Sequence, residues 1–67
     1  MRYIIQNPTG EQDIILEPSN EGAPGLRTGL DGNDMVVNTY ETAAQRDQAL
    51  TNRLKMFEGQ GMAITKA

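Results

Sequence analysis

A chain of 67 residues with a formal net charge of −3 and no cysteine, histidine or tryptophan makes one small domain with few means of being stapled. Without cysteine there is no disulfide, thiolate nucleophile or zinc–thiolate site, and without histidine the usual general base and the commonest transition-metal ligand are missing. Domains near this size bury only about 60% of their unfolded surface. With 37% hydrophobic residues and only Tyr3, Tyr40 and Phe57 as aromatics, association with another chain is the remaining support.

Residues 1–17 read as a β-hairpin. Tyr3-Ile4-Ile5 and Ile14-Ile15-Leu16 are β-branched or aromatic runs, the composition of strands. Between them Asn7-Pro8-Thr9-Gly10 puts proline second and glycine fourth, as a type I turn favours. Residues 18–34 carry four glycines and two prolines, show no period of 2 or 3.6, and read as a long Gly-rich loop of the kind that is functional or disordered. Leu26 and Leu30 lie inside it, with Arg27 between. A solvated linker needs neither leucine, so they either pin the loop to the core or face a partner.

Residues 35–67 read as a β-α-β unit. Met35 to Tyr40 alternates as a strand, after turn chemistry at Asp31-Gly32-Asn33-Asp34. Thr42-Ala43-Ala44-Gln45 is a capping box, opening a helix that runs to about Glu58, with Gly59 as its left-handed stop and Gly61 in reinforcement. Met62 to Thr65 follows as a last strand, which a right-handed crossover sets parallel to the strand at 35–40. At 100° per residue, Ala43, Leu50, Leu54 and Phe57 form a narrow core seam. Ala49 and Met56 form a second apolar strip, and Arg46 and Arg53 lie between the two. Either the arginine stems cover the core edge while the guanidinium groups reach water or hairpin carboxylates such as Asp13 or Glu17, or these four residues make a contact surface, where Met and Arg are enriched.

Little chemistry is encoded. Ser19 is the single serine and no base is placed for it, while Lys55 and Lys66 fall on a polar helix face and at the end of the chain, where burial does not activate them. Asp31 and Asp34 flank Gly32-Asn33, but Met35 and Val37 stand where an EF-hand needs oxygen ligands. The stretch Gly22 to Gly29 has neither G-x-G-x-x-G spacing nor a Gly-Lys-Ser/Thr end, and no helix starts after it to take a phosphate. No catalytic, metal or cofactor residue is assigned, and the expectation is a protein that is not an enzyme.

Residues 1–41 hold seven acids against two bases, and residues 42–67 hold two acids against four bases. The bases are too few and too scattered for a nucleic-acid interface, and the acids too scattered to make more than a minor case for a nucleic-acid mimic. No run approaches the ~18 apolar residues of a membrane span. The opening residues lack the basic start, apolar run and cleavage site of a signal peptide, so the expected location is cytoplasmic: the host cytoplasm or the virion if the chain is viral.

The expected architecture is α+β, a single domain over residues 1–67 in the order β-β-long Gly-rich loop-β-α-β, with one helix on a short mixed sheet. The expected function is a non-enzymatic protein-binding module. Its partner is another protein or a copy of itself, and its contact residues are Leu26, Arg27, Leu30, Arg46, Ala49, Arg53 and Met56. By analogy of size and charge alone, small acidic bacteriophage-type accessory proteins supply two roles. One is an inhibitor or modulator docking on another protein; the other is a structural subunit of an assembly such as a virus particle.

Overall fold

In the computed structural model, which describes residues 1–10, 12–30 and 35–67, the chain forms β1 (Tyr3–Gln6), β2 (Ile14–Ser19), β3 (Gly25–Leu30), β4 (Val36–Thr39), α1 (Ala43–Gly59) and β5 (Ala63–Lys66). The strands make one five-stranded sheet in the order β4-β3-β2-β1-β5. The domain is α+β, with one helix packed on this sheet.

Two expectations about the strands need correction. Residues 18–34 are not one long loop, because β2 continues through Pro18 and Ser19 and Gly25–Leu30 is a six-residue strand. Its period of 2 is real: Leu26, Thr28 and Leu30 share one face, and Gly25, Arg27 and Gly29 the other. Glycine at alternate positions hides that pattern from propensity, since glycine is depleted in strands. Cross-strand packing on both sides of β3 overrides the preference, and at Gly25 a Cβ would stand 3.1 Å from the Asn38 carbonyl oxygen. Pro18 lies beyond the last β1 partner, where β2 has a neighbour only on its β3 side and a missing N–H is tolerated.

The second correction concerns the sheet, which is antiparallel at every pairing rather than mixed. β5 runs in the same direction as β4 but is not its neighbour, since it pairs with the free side of β1 at the opposite edge. Four inter-strand steps of ~4.8 Å separate the two edges, and a 17-residue helix is about 25 Å long. α1 is therefore long enough to cross the whole sheet. The ladder to β1 continues past β5, where the Ala67 N–H donates to the Arg2 carbonyl at 2.7 Å.

Local chemistry sets the turns and helix ends. The Gly10 N–H closes the first turn on the Asn7 carbonyl at 3.0 Å. At the helix start, the Gln45 N–H donates to Thr42 Oγ1 at 3.1 Å and the Thr42 N–H to Gln45 Oε1 at 3.3 Å, completing the capping box. The left-handed residue at the far end is Gly61, at φ 82°, while Gly59 is still helical. There the Gly61 N–H reaches the Glu58 carbonyl at 3.0 Å and the Met62 N–H reaches Phe57 at 3.1 Å, the two bonds of a Schellman motif. Met62 and Phe57 both pack against the core, which turns the chain back toward the sheet.

Cross-strand pairing puts Ile5, Leu16 and Leu26 on the helix-facing side of three adjacent strands, where all three are fully buried beneath Leu50. Full burial of such side chains stabilises by about 1.5–3 kcal/mol each. Leu54 and Phe57 pack around them as expected, but Ala43 is exposed and Arg46 is buried in the first turns of the helix. On the opposite side of the sheet Ile15 is also buried, between Ile4 and Gly29.

Candidate protein-interaction surface

The seven contact residues expected from the sequence separate into three groups. Leu26 is core, with no exposed surface to offer a partner. Of the two roles open to it, pinning to the core is the one the fold uses.

Arg46, Arg53 and Ala49 join the helix to the sheet. Arg46 is 7% exposed. One of its terminal nitrogens donates to the Ser19 carbonyl and to Asn20 Oδ1, each at 2.9 Å, and its Nε donates to Asp47 Oδ1 at 2.7 Å. Its partners are therefore the turn between β2 and β3 and the next helix residue, not Asp13 or Glu17. Two turns along, Arg53 donates to Thr28 Oγ1 on β3 at 2.7 Å. Ala49, between the arginines, is half-buried against the core. A capped helix presents the two arginines on one flank because they are seven residues apart, and β3 supplies the acceptor at Thr28.

Arg27, Leu30 and Met56 keep substantial surface. Arg27 is on the helix-free side, directly opposite Glu17 in the register and 3.6 Å from its carboxylate. Both side chains are partly solvated, so this pair is worth about 1 kcal/mol or less. Leu30, 43% exposed, ends β3 and lines an open depression with Asn7, Gln12 and Ile14. Met56 is 49% exposed and lies three residues beyond Arg53 on the same helix flank.

The sheet and helix parts of this surface meet around Thr28. Arg53 bonds Thr28, Leu30 follows two residues on along β3, and Val36 is the cross-strand partner of Thr28 on β4. Val36 is 65% exposed and its neighbour Val37 51%. Neither is among the expected contact residues. Two adjacent valines in one strand point to opposite faces, so a one-sided core can bury only one, and that signal was present in the sequence.

Residues that carry chemistry stay apart. Among the described residues no group of three or more acidic side chains stands close enough to hold a metal ion. Ser19 Oγ accepts from the Glu21 N–H at 3.4 Å, and Lys55 and Lys66 are exposed on the helix and on β5. The turn at Asp31 to Asp34 lies outside the described residues. No helix among them is long and apolar enough to cross a membrane. Comparison with protein-family models, with curated proteins and with solved structures gave no match, so the functional reading rests on the residues and geometry described above.

Proposed function

We propose that the chain is a non-enzymatic protein-binding module, most concretely a phage-type accessory protein that docks on another protein as an inhibitor or modulator. The observation that carries this reading is the apolar surface at Leu30, Val36 and Met56, beside the Arg53–Thr28 contact. It belongs to a domain with only five buried aliphatic side chains among its described residues. Each of the three exposed side chains retains about half its surface or more. Covering the remainder supplies roughly 2–4 kcal/mol at the usual 1.5–3 kcal/mol for a whole side chain, or about 30- to 1,000-fold in affinity. Arg53, half-buried at the same place, suits a partner with an acidic group at the rim of an apolar patch.

The test is capture from host lysate on the immobilised chain, which is expected to recover one dominant protein in the cytoplasmic fraction. Leu30→Asp with Met56→Asp is expected to lose it while keeping the circular-dichroism spectrum of the parent. Recovery unchanged by that double variant refutes this surface as the contact. A second reading, a structural subunit of a larger assembly such as a virus particle, is favoured by the helix-free side of the sheet, which no described element covers. Mass spectrometry of purified particles should then find the chain at fixed stoichiometry, and its absence from them ends that reading.

A further inference from the structure

We propose that β4 pairs with β4 of a second copy of this chain, antiparallel about a two-fold axis at Asn38, joining two five-stranded sheets into one continuous sheet. The sheet has two edges, β4 and β5. Natural edge strands are guarded by charge, proline or a bulge. β5 carries Lys66, whereas β4 reads Val36-Val37-Asn38-Thr39, without charge, proline or glycine. Val36 and Val37 point to opposite faces of the sheet, so both sides of this edge show an exposed β-branched side chain.

The backbone selects the register. The Tyr40 N–H donates to the Pro24 carbonyl at 2.8 Å, one step beyond the Gly25–Thr39 pair of the β3–β4 ladder. Hydrogen-bonded and non-hydrogen-bonded pairs alternate along an antiparallel ladder. Tyr40, Asn38 and Val36 therefore turn their backbone groups toward β3, and Val37 and Thr39 turn theirs outward. Placing Val37 opposite Thr39 of the second copy pairs the outward N–H and C=O of both residues on both strands.

The side chains fit the same register. Asn38 meets its own equivalent on the axis, where each amide can donate to the other. Val36 stands opposite Tyr40 of the second copy, a β-branched–aromatic pair of the kind that stabilises sheets. No residue from Val36 to Tyr40 is charged, so the axis brings no like charges together. An unrelated strand could use the same backbone groups, but this self-complementarity of side chains favours a second copy. The pairing goes beyond the docking reading above. Both use Val36, but Leu30 and Met56 lie outside the β4 pairing and Val37 outside the docking patch, so the two are separable by variant.

Sedimentation equilibrium of the full chain over a concentration series is the test. The apparent mass is expected to rise from 7.4 kDa toward twice that value. Amide exchange at Val37 and Thr39 should slow by about tenfold or more in the concentrated sample, as pairing protects groups that are open in the monomer. Val37→Pro removes an outward N–H and leaves the β3 ladder intact, and Val37→Lys puts a charge on the edge. Both are expected to sediment as monomers with the parent's circular-dichroism spectrum. A wild-type chain that stays at 7.4 kDa at every concentration overturns the proposal. So does a dimer that persists in either folded variant, or exchange at Val37 and Thr39 that stays fast in the concentrated sample.

Discussion

Replacing Arg46 by alanine tests how much of this small domain depends on one buried guanidinium. Arg46 joins α1 to the β2–β3 turn through the Ser19 carbonyl and Asn20 Oδ1, at 2.9 Å each, with only 7% of its surface exposed. Hydrogen bonds to charged groups contribute about 1.5–3 kcal/mol each in favourable settings. The Asn20 side chain is exposed and regains water when the partner is lost, whereas the Ser19 carbonyl is partly covered. One bond therefore counts nearly in full and the other in small part. With the packing of the alkyl stem, the loss comes to about 2–3 kcal/mol.

A chain of 67 residues at the usual 0.05–0.15 kcal/mol per residue has only about 3–10 kcal/mol in total. The expected result is a fall in Tm of roughly 10–20 °C, at about 4–8 °C per kcal/mol for domains of this size. Urea unfolding followed by far-ultraviolet circular dichroism measures it. Arg46→Met, which removes the buried charge as alanine does but keeps an apolar stem of similar length, should be less damaging than alanine, because it retains the packing that alanine loses. A double-mutant cycle with Asn20→Ala should show coupling of roughly 0.5–1 kcal/mol. A loss within 0.5 kcal/mol for Arg46→Ala refutes the clamp and returns this residue to the surface.

Leu26→Ala should cost about 2–5 kcal/mol as a core truncation, measured by the same urea titration, whereas a loop leucine would cost almost nothing. Gly59 and Gly61 should respond in opposite directions to alanine. Gly59 is the last helical residue with open space around a Cβ, so alanine there gains up to about 1 kcal/mol. Gly61 at φ 82° loses about 1–2 kcal/mol, and equal effects at the two sites in thermal melts refute the Schellman assignment. Thr42→Ala removes the acceptor for the Gln45 N–H and should cost about 1 kcal/mol. A melt unchanged from the parent's counts against the capping box.

Where the determinants are local, sequence and structure agree. Thr42 and Gln45 need only each other to cap the helix, Asn7 to Gly10 needs only its own backbone to turn, and the strand runs of the hairpin are short and strongly biased. Four of the five strands and the helix were legible for that reason. β3 was not, because its glycines read as punctuation in isolation, while its strand conformation depends on β2 and β4 holding it from both sides. Of the expected contact residues, Leu30 and Met56 retain broad exposure and Leu26 does not. Hydrophobicity alone cannot separate them; their positions relative to the helix can.

The sequence by itself determined the capped helix, the hairpin and the α+β class, since each follows from contacts within a few residues. It placed the helix stop at Gly59, short of the left-handed Gly61. Only the tertiary structure decided that β5 joins β1 rather than the strand before the helix, because edge choice depends on which backbone groups remain unpaired once the hairpin has formed. It also decided that Arg46 is internal, because its acceptors come from Ser19 and Asn20 at a distance in the chain no local pattern can bridge. The opening shortage of aromatics and cross-links is met in part by an arginine that clamps the helix to the end of β2 and the residue after it.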